Sequence, residues 1–253
     1  MHLSALKFPV TKATAISLPG LWLSLALLPA AGGSALAGSY RVAERSLVIE
    51  PPQSYCLIDR EVQAEADLFR FMEEINADLN RVLVVFVDCA ELQRWRAGEV
   101  AYLERYGNVL TPIEETSYSG MARGAFLEEL RKVMDSAPPL GLEAGQARLE
   151  ATIPELEVGQ SENFGIIEAD DAALYAGIAQ RLEYDGRTFV MLGIYSLTLV
   201  NDVPLSINLY RPLKNKQTAA RLISEQRRFL RQLLERNRNL QGRIEGPATR
   251  GPG

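Results

Sequence analysis

The chain is 253 residues long, 47% hydrophobic and 23% charged, with 27 basic against 32 acidic side chains and a formal charge of −5. This is ordinary globular usage and excludes a disordered or collagen-like chain. The mildly acidic balance lacks the positive footprint that neutralises phosphates, so nothing in it points to nucleic acid as a partner.

No charged side chain occurs from Ala13 to Tyr40, while Lys7 and Lys12 precede that run and Leu18 to Leu28 is its most apolar part. This is the layout of a secretory signal peptide. It ends in Pro29 and Gly32-Gly33 and then in Ala35-Leu36-Ala37, the small-x-small pattern that a signal peptidase reads, with Gly38 as the first mature residue. An uncharged run of this length is also long enough for a retained membrane anchor, but Pro19-Gly20 and Pro29 interrupt it and no Cys follows it to accept a lipid. The expectation is a leader at 1–37, no stable membrane span after its cleavage, and a periplasmic or secreted protein. A membrane-tethered form is the competing reading.

Cleavage would remove His2, Lys7 and Lys12 and no acidic residue, leaving 25 basic against 32 acidic side chains and a formal charge of −7. His2 is the only histidine, so the mature chain would hold no Ser-His-Asp or Cys-His system and no histidine-ligated metal. Cys56 and Cys89 are an even pair in a chain read as exported to an oxidising compartment, and a structural disulfide is the economical use of them. A redox pair would sit closer, as in Cys-x-x-Cys.

Along the chain, Ser46–Glu50 reads as a short strand stopped by Pro51-Pro52, and Tyr55–Ile58 as another extended piece. Glu61–Leu79 carries Val62, Ala66, Phe69, Met72, Ile75 and Leu79 at helical spacing. Val82–Val87 is a continuous apolar run that suits a strand covered on both faces, so the two cysteines flank a strand-helix-strand unit. Asp88 is placed to cap a short helix over 90–96. A further helix is expected from Gly120 to Met134 with Ser119 as its cap, and Leu140–Gln160 reads as a partly helical connector. Phe164–Tyr210 reads as an antiparallel meander, turned at Asp185-Gly186 and at Asn201-Asp202. An amphipathic helix over Gln217–Gln241 closes the chain, with Gly242 as its stop, and 243–253 reads as a disordered tail. The fold class expected is α+β, a mostly antiparallel sheet packed by helices in a single domain at 38–242.

The most visible charge asymmetry lies on the last helix, where Lys214, Lys216 and six arginines from Arg221 to Arg238 are opposed only by Glu225 and Glu235. Arg221, Arg228 and Arg231 are the candidate partner surface, for an acidic partner or anionic headgroups; a merely solvated face is the alternative. Glu168, Asp170 and Asp171, and Glu114-Glu115, are clustered carboxylates that could serve acid-base chemistry, and exposed turn acids are the simpler reading. Trp95, Tyr102, Tyr106 and Tyr118 are placed either to line a groove or to pack a core. No Ser-x-x-Lys dyad, calcium loop or phosphate-binding glycine loop is present, and no catalytic residue, metal ligand or cofactor is assigned.

The order of elements resembles the PsbP-like class of exported α+β domains: an opening strand ending at Pro51-Pro52, an early helix at 61–79, an antiparallel sheet over 172–210 and a closing helix at 217–241. The helix at 120–134 and the connector to 160 are extra to that order. The resemblance implies a non-catalytic accessory or binding protein in an extracytoplasmic space and transfers no functional residue. The function expected is therefore an exported non-enzymatic binding or accessory protein of the bacterial envelope, its partner a protein or small ligand. The alternative is a carboxylate-dependent hydrolase of an envelope polymer.

Overall fold

The structure, a computed structural model, describes residues 38–244 apart from 43, 78, 115–117, 137–146, 148, 152 and 154–155. The expected leader lies outside the described residues, as do Glu115, much of the connector and the tail beyond Ile244.

Strands β1 (Gly38–Val42) and β2 (Arg45–Ile49) form an antiparallel ribbon. A second, seven-stranded sheet contains β3 (Tyr55–Leu57), β4 (Asn80–Asp88), β5 (Tyr106–Pro112), β6 (Leu156–Ala169), β7 (Leu174–Tyr184), β8 (Arg187–Val200) and β9 (Val203–Pro212). Its order is β3-β4-β5-β9-β8-β7-β6, with every neighbouring pair antiparallel. Helices α1 (Gln63–Asn76) and α2 (Cys89–Arg96) connect the first three strands, α3 (Arg123–Ser136) precedes β6, and α4 (Lys216–Ile244) ends the described chain. The fold is α+β, as expected.

Side chains alternate across the strands and so build two apolar layers. On one face Val84, Phe86, Val109, Leu192, Ile194, Leu205, Ile207 and Leu209 pack under Leu222, Phe229, Leu230 and Leu233 of α4, and Leu47 and Ile49 of the ribbon join them. On the other, Val82, Val85, Val87 and Leu110 meet Phe69 and Met72 of α1 and Leu92 of α2, while Leu174 and Leu199 meet Phe126 and Leu127 of α3. The apolar run of β4 is thus covered on both sides, next to the edge strand β3.

Both hairpin turns hold two successive residues at positive φ, Asp185 and Gly186, then Asn201 and Asp202. That conformation matches the right-handed twist of the flanking strands, and Asn, Asp and Gly tolerate it best. Asp88 caps α2 by accepting from the Glu91 N–H at 3.1 Å, as its position predicts.

Four expectations are corrected. No strand is expected between the helix at 90–96 and that at 120–134, yet β5 lies there, inside the sheet between β4 and β9. β6 takes Leu156–Gln160 out of the expected connector. The third helix starts at Arg123, so Ser119 lies too far upstream to cap it; Arg45 Nη2 donates to its hydroxyl at 3.4 Å instead. Gly242 lies within α4 rather than stopping it.

Cys56 of β3 and Cys89, the first residue of α2, form the expected disulfide. It joins the short edge strand, held to β4 by only three residue pairs, to the helix that follows β4.

Candidate functional site

α4 begins with a reciprocal cap: Asn215 Oδ1 accepts from the Thr218 N–H at 3.2 Å, and Thr218 Oγ1 accepts from the Asn215 N–H at 3.3 Å. Its buried stripe carries two amides as well as apolar side chains. Gln226 donates to the Ile207 carbonyl, and Asn237 exchanges hydrogen bonds of 2.9 Å with both the N–H and the carbonyl of Val48. These bonds fix the rotation of the helix about its own axis, and so fix which side chains face outward.

The side that faces solvent is the predicted one. Arg221, Arg228 and Arg231 are all exposed, at spacings of seven and three residues that place them along one face. Arg221 donates to no carboxylate among the described residues and instead donates to Gln217 Oε1 at 3.2 Å. Arg228 and Arg231 form no ion pair among the described residues. The flanking arginines are engaged: Arg227 with Glu168 and over the Tyr175 ring, and Arg236 with Glu50 at 2.6 Å. Arg211 of β9 reaches Glu225 at 2.7 Å, which removes one of the two acids on the helix as a partner for the exposed cations.

Arg238 extends the exposed row, and Arg123 of α3, not singled out from the sequence, stands near it. Burial lowers the Arg123 guanidinium below its usual range, the Arg238 charge lowers it further, and Asp171 opposes both. Arg123 is held by its Nε, which donates to the Leu199 carbonyl at 2.9 Å. Two helices distant in sequence therefore place like charges close together, a relation that helical periodicity does not reveal.

The clustered acids have structural work. Asp170 Oδ1 accepts from the N–H groups of Ala172 and Ala173, both at 2.9 Å, and Asp170 Oδ2 accepts from the Tyr175 hydroxyl at 3.1 Å. With Glu168 bound to Arg227, two of these three carboxylates organise the turn into β7. Two other acids face one open polar pocket of about 580 Å³, lined by Glu50, Gln53, Gln232, Glu235, Arg236 and Asn239 where β2 ends beside α4. Among the described residues no group of three or more His, Cys, Asp or Glu is placed to hold a metal ion.

The aromatic residues separate. Trp95 packs with the α1 and α2 layer and Tyr118 edges onto Phe126 of α3. Tyr102 stacks with Phe189 and Tyr106 with Tyr210, at ring-centroid distances of 6.0 and 4.8 Å. No protein-family model matches the chain, and no curated protein matches it.

Proposed function

We propose that the chain is an exported, non-enzymatic binding protein of the bacterial envelope that docks through the exposed face of α4 on a phosphate-bearing anionic surface. The observation that supports this reading is the row Arg221, Arg228 and Arg231, exposed on a helix whose rotation is fixed and, at Arg228 and Arg231, without ion pairs among the described residues. Guanidinium groups suit phosphate because their planar donors bind it in pairs. The apolar stripe of α4 is used up against the sheet, so the contact is electrostatic and peripheral rather than inserted. No helix among the described residues is long and apolar enough to cross a membrane, and the disulfide suits an oxidising compartment. The PsbP-like reading, an accessory protein outside the cytoplasm, agrees with this role.

The test is co-sedimentation of the mature protein with vesicles containing anionic or only zwitterionic phospholipid, at low and high salt. Binding to the anionic vesicles alone, lost at high salt and in an Arg221→Glu, Arg228→Glu, Arg231→Glu variant of unchanged melting temperature, is the expected result. Equal binding by that variant would refute the docking face.

The hydrolase reading keeps one specific observation in its favour, the shared pocket of Glu50 and Glu235. Glu50 is there tied to Arg236. Activity on an envelope glycan that disappears in both Glu50→Gln and Glu235→Gln would replace the binding reading with the hydrolytic one.

A further inference from the structure

The exposed face of α4 does not end with its arginines. Gln232 lies four residues after Arg228, Glu235 four after Arg231 and Asn239 seven after Gln232, so one face of the helix carries cations first and then amides and an acid. These three side chains form one wall of the open pocket of about 580 Å³ beside β2, and Glu50 and Gln53 stand in the other. The arginine row therefore runs into a concavity.

Both walls are held in place. Asn237, on the buried side of α4, bonds both backbone groups of Val48, two residues before Glu50, and Arg236 reaches across to Glu50 at 2.6 Å. The segment that carries Gln53 is tied by the Tyr55 N–H, which donates to the Pro52 carbonyl at 3.0 Å, and by the Cys89 N–H, which donates to the Ser54 carbonyl at 2.8 Å.

Among the described residues of the lining Pro51 alone is apolar, so an acyl chain or a flat ring finds no cover there. Arg236 occupies Glu50, whereas Glu235 forms no ion pair among the described residues. Glu235 and the carboxamides of Gln53, Gln232 and Asn239 set donors and acceptors side by side. The hydroxyls of a sugar or cyclitol ring, each both donor and acceptor, match such a set, and the volume falls within the roughly 300–1,000 Å³ of small-ligand sites. A phosphate would be repelled by the two glutamates and drawn to Arg228 and Arg231, one to two helical turns away on the same face.

We infer that the pocket and the arginine row together bind a phosphorylated polyol ring, its phosphate on Arg228 and Arg231 and its hydroxyls between α4 and the end of β2. The inference rests on the phosphate-docking reading and names the headgroup class that the surface would carry. A lipid headgroup and a free sugar phosphate share this chemistry.

The test is co-sedimentation of the mature protein with vesicles that hold equal fractions of phosphatidylinositol or phosphatidylserine, which match in net charge and differ in the ring. Binding about tenfold tighter to phosphatidylinositol is expected, the effect of one or two additional hydrogen bonds. The variant Gln53→Ala, Gln232→Ala, Asn239→Ala, of unchanged melting temperature, should bind both vesicles equally, at the phosphatidylserine level. The arginine variant should lose both. Calorimetry with soluble inositol monophosphate and glucose monophosphate separates the sources: saturable binding that the amide variant weakens, without a preference between vesicles, assigns the pocket to a free sugar phosphate. Binding of the soluble phosphates with no sedimentation on either vesicle discards the docking surface and keeps the pocket. No preference between vesicles together with no saturable binding of either soluble phosphate, or undiminished preference and affinity in the folded amide variant, would overturn the inference.

Discussion

Arg96, at the end of α2, closes a fork on Glu65 in the first turn of α1: its Nε lies 2.7 Å from Oε1 and its Nη2 2.9 Å from Oε2. The Glu65 side chain is fully buried, and its Oε2 also accepts from the Asp59 N–H at 2.6 Å. One carboxylate thus ties together two helices and the segment leading from β3.

Removal of Arg96 would leave that carboxylate buried without a counter-charge. Arg96→Met is expected to cost about 2–4 kcal/mol in urea unfolding, toward the lower part of the range for broken buried pairs because Arg96 itself is half exposed. Glu65→Met added to Arg96→Met should recover much of the loss, because the unpaired charge is then absent. A double variant no more stable than Arg96→Met alone would show that the pair acts through packing.

Reduction of the Cys56–Cys89 bond should lower stability by about 3–4 kcal/mol on the loop-entropy estimate. β3 is the short edge strand that the bond retains, so its amides should lose hydrogen-exchange protection first, ahead of those of β8. Native protein should resist alkylation until reduced. Ready alkylation without reductant would refute the staple.

The protein should lose stability in alkali through its tyrosines. Burial raises the phenols of Tyr40, Tyr55, Tyr106, Tyr175, Tyr195 and Tyr210 above the ordinary 10.0, that of Tyr106 to about 12. The fold therefore favours the neutral form. The stabilisation is complete below the unfolded value of 10.0 and is lost as the pH rises through the folded values. Phenolate absorbance should develop in two stages, the later one coinciding with loss of circular dichroism. Titration of all nine tyrosines near 10.0 with the fold intact would contradict this.

Gly107 in β5 has no room for a side chain. A Cβ there would run into the Asn208 carbonyl oxygen and the Phe86 ring. Because the first of these is backbone in the neighbouring strand, β5 and β9 would have to part, and Gly107→Ala should cost about 1–3 kcal/mol in thermal or urea unfolding. A neutral effect would mean that the ladder gives way easily at this point.

The elements that were legible in the sequence are those whose signals are local. β8 is bounded by two turn pairs, Asp185-Gly186 and Asn201-Asp202, and its ends fall at Arg187 and Val200 as the turns require. The arginine row was visible because helical spacing alone sorts exposed from buried positions. β5 was not: Gly107, Asn108 and Pro112 are turn-forming residues, and only pairing to β4 and β9 on both sides makes them a strand. β6 was hidden by Gly159, Gly165 and its glutamates; its ladder with β7 breaks register at three places, one beside Gly165 at positive φ. The buried Asn108–Asn208 pair escaped notice for another reason. Asn108 and Asn208 are 100 residues apart, and no periodicity brings them together.

The bonds between Val48 and Asn237 span 189 residues. A chain made from its amino end therefore presents the ribbon long before the helix that holds it exists. Until α4 arrives, Leu205, Ile207 and Leu209 lack the cover of Leu222, Phe229, Leu230 and Leu233, and the ribbon alone shields only part of that side of the sheet. Folding must wait for the last segment to be made, and a product stopped after β9 is a substrate for holding chaperones and proteases rather than a smaller working protein.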